Sequence, residues 1–406
     1  MSVSTNDFNK FPEQILMLSQ KDELLKWREE FPILNNTTYL ISNSLGAMPK
    51  SVYNKMQEYA ETWATRGVRA WEEYWWELNA EVGNIIVPLI GAGPNEISMH
   101  MNISLLQSII LSCFDFNSKK NEIVYSSFEF PSEMYVFEKF ATKLGAKVKL
   151  IESENLVVPS TEKILDAIDE RTLLVPVSHV LFRSAYIMDI NAIVEKAHSV
   201  GAYVILDTYH STGTMPVDVK KLGVDILIGG VLKWLCGGPG GIFLWIEPSL
   251  RSKLEPTITG WLAHMEPFAF EKKMEYTQEV YKFLNGTPSI PALYSSQEGP
   301  KIINKIGIDK IRKKSIHQTS LVTELAQKEG YKINSPMDAT KRGGTVTIDM
   351  PDSYLISKEL LKRNIIVDYR KDAGIRIAPH FYNSDDEILF AMHELKKIIQ
   401  NKSYLN

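Results

Sequence analysis

Four side chains of this sequence could act together on one small molecule: Asp207, His210, Lys233 and Arg376. Lys233 stands in Gly229-Gly-Val-Leu-Lys-Trp-Leu-Cys-Gly-Gly-Pro-Gly-Gly241, flanked by Leu232, Trp234 and Leu235. Apolar neighbours desolvate an amine, lower its pKa and make it nucleophilic towards an aldehyde. The glycine run lets backbone approach a bulky ligand. The competing account is a surface lysine whose stem snorkels out of a buried turn. Asp207 closes the apolar run Tyr203-Val-Ile-Leu-Asp207, so it puts a carboxylate at the tip of a buried strand. An aspartate capping a turn is the alternative there. His210 follows in Asp207-Thr-Tyr-His-Ser-Thr-Gly213, within reach of the same point or else as an ordinary loop histidine. Arg376 sits inside the alternating run Gly374-Ile-Arg-Ile-Ala-Pro379. An arginine at such a place suits a bidentate grip on a carboxylate, or a salt bridge on a strand face.

A strand-end acid followed, one strand later, by a desolvated lysine suits pyridoxal 5′-phosphate. The lysine forms a Schiff base with the aldehyde, and the acid keeps the pyridine nitrogen protonated, which makes the ring a better electron sink. The phosphate needs backbone donors at a helix start. Asn102-Ile103-Ser104 precedes an apolar helical run and meets that need, either as a phosphate cradle or as a plain N-cap. Thr287 in Asn285-Gly-Thr-Pro288 is a second candidate, or simply part of a turn. One ring face needs an aromatic cover. Phe130, in Ser127-Phe-Glu-Phe-Pro-Ser-Glu133 just past a strand, could stack there or belong to the core.

The elements that must position these groups alternate in type. Strand-like runs occur at 122–126, 147–151, 173–177, 203–207, 226–228 and 241–246. Amphipathic helical segments lie at 133–144, 161–168 and 191–200. Strands alternating with helices predict a three-layer α/β unit with a mostly parallel sheet. Such sheets bind ligands beyond the carboxyl ends of their strands, where Asp207 and Lys233 would meet. Upstream, helices are expected at about 23–31, 49–66, 71–90 and 103–116. Downstream of Pro288 the pattern predicts a long helix over 295–329, strands near 345–349, 365–368 and 375–378, and a last helix from Ser384. The expected division is an N-terminal segment 1–48 packing on the small domain, a large cofactor-binding domain 49–288, and a small α+β domain 289–406.

Composition sets outer limits. A chain of 406 residues exceeds one ordinary core, which agrees with two domains. Formal net charge is −4 and the pI is about 6.1, with no basic stripe. Nucleic acid and anionic membranes are therefore not expected partners. The apolar stretches are too short to span a bilayer, and Met1–Lys21 carries no apolar signal-like core. Two cysteines, Cys113 and Cys236, make neither a disulfide framework nor a metal-ligand spacing, so no metal and a reducing, cytoplasmic setting are expected.

Seven segments, in order, resemble kynureninase, within the class V aminotransferase group of fold-type I pyridoxal-phosphate enzymes. They are Tyr39-Leu-Ile-Ser-Asn-Ser-Leu-Gly46, Phe130-Pro-Ser-Glu133, Asp207-Thr-Tyr-His210, Leu232-Lys-Trp-Leu-Cys-Gly-Gly-Pro-Gly240, Gly260-Trp-Leu-Ala-His264, Phe283-Leu-Asn-Gly-Thr-Pro288 and Gly374-Ile-Arg-Ile-Ala-Pro379. The resemblance implies that Lys233 is the Schiff-base lysine and that Asp207 pairs with the pyridine nitrogen. It implies that Phe130 stacks on the ring, that Ile103, Ser104 and Ser132 join the cofactor contacts, and that His210 lies beside the cofactor. Trp261 and Thr287 would reach the phosphate from a neighbouring subunit of a homodimer. Arg376 would hold the substrate α-carboxylate, with His264 as a further substrate contact.

Three departures bear on the reaction. Leu232 stands where the family has a tyrosine that touches the phosphate and is implicated as a proton donor in carbon–carbon cleavage. Leu181 and Phe182 stand where it has asparagine and tyrosine, and 65–71 holds no counterpart of the vertebrate ring-site histidine. The leading expectation is a hydrolase or lyase acting on a small amino acid at its β-carbon. The alternative is another class V reaction, such as transamination, epimerisation or β-elimination. Cysteine desulfuration fits poorly, because no cysteine follows Cys236. A non-catalytic scaffold is a third reading, opposed by the retained Lys233, Asp207, Phe130 and Arg376.

Overall fold

The computed structural model describes residues 22–153 and 157–405. The reading of Met1–Lys21 falls outside them. Strand β1 (Thr38–Tyr39) precedes a seven-stranded sheet made of β2 (Ile97–His100), β3 (Glu122–Ser126), β4 (Lys147–Ile151), β5 (Thr172–Ser178), β6 (Tyr203–Asp207), β7 (Ile226–Gly230) and β8 (Ile242–Ile246). Their spatial order is β2-β8-β7-β6-β5-β3-β4. Strands β7, β6, β5, β3 and β4 run parallel, and β8 is antiparallel to both of its neighbours.

The inner strands are apolar on both sides because helices cover both faces. In β6, Val204 and Leu206 join one core and Ile205 joins the other; in β3, Val124 takes the first face and Ile123 and Tyr125 the second. Helix Ile190–Ser199 supplies Ile190, Ile193, Val194 and Ala197 to the first core. Helices Ile103–Leu111 and Pro131–Lys139 supply Leu106, Ile109, Ile110 and Phe137 to the second. This is the three-layer, mostly parallel fold that the alternating pattern predicts.

A second sheet, β12-β13-β10-β9, is antiparallel throughout and comprises β9 (Lys332–Ile333), β10 (Val346–Asp349), β12 (Asp368–Arg370) and β13 (Gly374–Ile377). It packs with helices Ile308–Lys328, Ser353–Lys362 and Asp385–Asn401 around Val346, Ile348, Ile375, Ile388 and Leu395. The last helix opens on the capping box of Ser384 and Glu387. β1 pairs in parallel with β11 (Ile365–Ile366), Arg28 grips Glu387 through two hydrogen bonds of 2.7 and 2.9 Å, and Lys314 meets Asp22 at 2.6 Å. The stretch from Asp22 to Tyr39 is thus tied to β11 and to the helices that pack with the second sheet.

Several boundaries differ from expectation for local reasons. The long helix expected over 295–329 is two helices, Glu298–Ile306 and Ile308–Lys328, which follow a short helix Ile290–Ser295; between the two, Gly307 takes φ +89° and turns the chain. The stretch 71–90 opens on a π-turn, Trp71–Trp75, before the α-helix Leu78–Ile90. The helix expected to reach Phe116 stops at Leu111, where the Ser112 hydroxyl bonds back to the Ile109 carbonyl. The expected strand over 365–368 is split into β11 and β12.

Gly46 joins the N-terminal segment to the loop that carries Lys233. Its N–H donates to the Leu232 carbonyl at 2.9 Å. A Cβ on Gly46 would lie 2.1 Å from the Lys233 carbonyl oxygen and 2.8 Å from Cys236 Cα. Both obstacles are backbone, so neither can swing aside. Gly46→Ala is expected to destabilise the protein by about 1–3 kcal/mol. Urea unfolding would check this, and an unchanged midpoint would mean that the loop yields freely.

Candidate active site

The carboxyl edge of the large sheet collects one face of the site. Asp207 ends β6, Ser178 ends the adjacent β5, and Lys233 lies three residues past the end of β7. Phe130 comes from the loop after β3, as the N-cap of helix Pro131–Lys139. The small sheet supplies Arg370 from β12 and Arg376 from β13, and the N-terminal segment supplies Asn43 and Ser44. All of these line a single cavity of about 220 Å³.

The Lys233 amine lies 2.7 Å from His210 Nε2, 4.4 Å from the centre of the Tyr209 ring and 5.6 Å from that of Phe130. Gly230 makes room for Tyr209, since a Cβ there would fall 2.4 Å from the Tyr209 ring. Burial pulls the Lys233 amine down to about 7 against the opposing pull of Asp207. Burial, then the charge of Lys233, holds His210 well below the usual histidine range, so its ring is neutral.

Three carboxyl groups lie buried beneath this amine. Burial pushes Asp207 up to about 6, partly offset by the Tyr209 N–H, which donates to its Oδ1 at 2.7 Å. Glu129 accepts from the Ser178 N–H at 2.9 Å and from its hydroxyl at 2.5 Å, and burial pushes it up to about 7. Glu133 accepts from Gln107 at 2.9 Å, and burial followed by the nearby Asp207 charge pushes it well above the carboxylate range. A low-dielectric site does not support three adjacent negative charges. Asp207 has Lys233 as a counter-charge, which favours its ionised form.

Arg376 is 1% exposed. Its Nε and one terminal nitrogen bind the two Asp368 oxygens at 2.7 and 2.5 Å, and its other terminal nitrogen donates to the Phe182 carbonyl at 2.8 Å. Three of its five donors are used, which leaves one on each terminal nitrogen. The second strand-face possibility, a salt bridge, is therefore realised together with a fork that still has two donors. Arg370 also reaches Asp368, at 3.0 Å, and lies 3.4 Å from the Ser44 hydroxyl.

These groups fit the cofactor implied by the sequence: an amine for the aldehyde, an acid at a strand tip, an aromatic ring at the wall, and the first turn of helix Ile103–Leu111, through Ile103, at the cavity. Ser104 and Ser132 lie in the first turns of their helices but do not line the cavity. Nor does this chain bring Trp261, Thr287 or His264 to it. Trp261 packs against Trp71, Trp76 and Phe268, Thr287 is exposed, and both His264 ring nitrogens are engaged, by the Lys273 carbonyl and the Glu266 N–H. Sequence reasoning passed over Tyr209, Glu129, Ser178, Asp368 and Arg370. Tyr209 was visible between Asp207 and His210; the others reach the site only through strand pairing and loop return.

The lowered amine has a kinetic consequence. Apoprotein should capture pyridoxal phosphate with a rate that rises with pH through about 7, as the ammonium gives way to the free amine, and then levels off. Stopped-flow absorbance would follow the capture. An inflection near the ordinary lysine value of about 10.4 would refute the desolvated amine, as would a visible cofactor band retained in Lys233→Ala.

The Aminotransferase class-V family model matches residues 38–387. Kynureninase from Pseudomonas fluorescens is 30% identical over 404 residues, covering 96% of this chain and 95% of that protein. The kynureninase of Geobacillus thermodenitrificans (strain NG80-2) is 27% identical, covering 95% and 94%. Among solved structures, the apo cysteine desulfurase of Thermococcus onnurineus NA1 matches the fold with a TM-score of 0.82 at 22% identity, over 99% of this chain and 100% of that one. A C-DES variant with glycine covalently linked to its PLP cofactor matches with a TM-score of 0.80 at 21% identity, over 91% and 98%. With this fold, this cavity and a family match across most of its length, the chain belongs to the aminotransferase class-V family, as a kynureninase-like, pyridoxal-phosphate-dependent enzyme.

Proposed function

We propose that this enzyme cleaves a small amino acid at its β-carbon, as a kynureninase-like hydrolase. The observation that carries the reading is the convergence of Lys233, Asp207, His210 and Arg376 on one cavity in a chain 30% identical to a kynureninase. In this reading Lys233 would hold the cofactor covalently, and its Nζ would take the substrate's α-proton. Asp207 accepts the N–H of the pyridine ring. His210 offers a neutral nitrogen 2.7 Å from the same amine. Arg376 turns its two remaining donors to the α-carboxylate. Phe130, Phe182 and Leu232 make the wall apolar and keep bulk water from the reacting atoms. Bound there, pyridoxal phosphate supplies the electron sink next to the substrate's amino nitrogen. Ile103, Ser104 and Ser132 are assigned to its phosphate end.

A second reading rests on one position. Leu232 lines the cavity where a proton donor is expected, so a class V reaction that needs no such donor, a β-elimination or a transamination, is the alternative. Desulfuration is not proposed, because the two thiols, Cys113 and Cys236, are both raised to about 12 by burial and no cysteine follows them.

We assign the division at residues 48 and 288 to the same scheme, with Lys233 on the large unit and Arg376 on the small one. Trp261, Thr287 and His264 are assigned to the cavity of a second copy. Support comes from the exposure of Met265, Phe268 and Phe270 on the same stretch, an apolar surface that pairing would cover. Light scattering of the holoenzyme should give twice the chain mass; a monomer would sink the shared-site assignment. No helix among the described residues is long and apolar enough to cross a membrane. A cytoplasmic setting remains part of the proposal.

Holoenzyme incubated with kynurenine should release anthranilate and alanine in equal amounts, and Leu232→Tyr should raise that rate by about 100-fold or more, the usual range for an acid–base group. Chromatography of the products checks both. A bleached cofactor restored by a keto acid, with no anthranilate, would replace the hydrolase reading with transamination.

A further inference from the structure

Asn43 is buried to 1% exposure, lines the cavity, and has no hydrogen-bond partner at either Nδ2 or Oδ1. No other described residue lining the cavity has fully buried polar side-chain atoms without a partner. Leaving an amide unpaired in a protein interior costs stability, so a sequence that keeps one at a cavity wall has a use for it there.

Its position identifies the use. The next residue, Ser44, lies 3.4 Å from Arg370, and Arg370 shares Asp368 with Arg376. Asn43 therefore stands at the arginine end of the cavity. The other end is marked by Ile103 and the first turn of its helix. Arg376 has two donors left, one on each terminal nitrogen, and a carboxylate has acceptor sites for more than two.

We propose that Asn43 is a specificity-determining residue that recognises the α-carboxylate of the substrate. Nδ2 donates to the carboxylate oxygen beside the Arg376 fork, and Oδ1 accepts from the N–H group next to it on the same ligand. Asn43 thereby separates α-amino acids from simple amines. The inference rests on the assignment of Arg376 to that carboxylate, but not on which bond is later cleaved.

The test compares L-alanine with ethylamine, which differ at the α-carbon by a carboxylate. Each is titrated into holoenzyme and read by the change in the visible absorption of the bound cofactor. Asn43→Ala should weaken L-alanine by about 10- to 100-fold, the range for a hydrogen bond to a charged group, and weaken ethylamine clearly less, because ethylamine has only the N–H contact to lose. Arg376→Ala, run alongside, should weaken L-alanine at least as much. A second readout needs no ligand. Asn43→Leu, of similar shape, should match or exceed the wild type in thermal midpoint as apoprotein, because it removes two unpaired atoms. An unchanged L-alanine affinity in Asn43→Ala would overturn the proposal, as would an equal loss for both ligands or a fall in the Asn43→Leu midpoint. Because L-alanine is bound rather than cleaved, the titration reads Asn43 even if kynurenine proves not to be the substrate.

Discussion

The structure depends on an amine kept out of water beside acids that are also kept out of water. An isolated ammonium or carboxylate is costly to bury, and the site lowers that cost by moving both groups towards neutrality. Lys233 falls to about 7 and Asp207 rises to about 6, and burial raises Glu129 and Glu133 as well. The result is a nucleophile that is reactive near neutral pH and a single acid ready to ionise against a cationic partner. The apolar walls, the crossing of Tyr209 under Gly230 and the close packing of Gly46 on the lysine loop all serve that exclusion of water.

The opposite side of the cavity depends on Asp368. One carboxylate holds two arginines, bidentate to Arg376 and single to Arg370. Breaking such a buried pair by removing one partner typically costs about 3–5 kcal/mol, so Asp368 sets the orientation of the guanidinium. Because the Phe182 carbonyl takes a third donor, the fork is rigid before any ligand arrives. A preorganised fork loses less entropy on binding than a mobile one. The same carbonyl links this fork to the loop after β5, which carries Leu181 and Phe182.

Phe182 and Leu232 make part of the cavity wall apolar. Phe182 packs edge to face on Phe130 with 5.3 Å between ring centres, and Leu232 lies beside Lys233. On the proposed reading, the groups assigned to the cofactor and the α-carboxylate line the cavity together with apolar side chains. Substrate choice therefore turns on the far side of the cavity.

Much was legible before any coordinates. The alternation of apolar runs and amphipathic segments defined a three-layer parallel sheet, because a strand covered on both faces must be apolar on both faces. Asp207 and Lys233 were legible for a related reason: parallel strands end at one edge, so strand-end residues converge. The helix break at Gly307, set by that residue's own φ of +89°, was not, because apolar periodicity runs on through a turn made by a single backbone angle. Tertiary structure alone decided that Asp368 clamps Arg376, that Glu129 reaches Ser178 across 49 positions, and that Asn43 faces the cavity with its amide unpaired. Periodicity reports which face of an element is buried. It does not report which polar groups meet there, because those contacts form only when separate segments fold against one another.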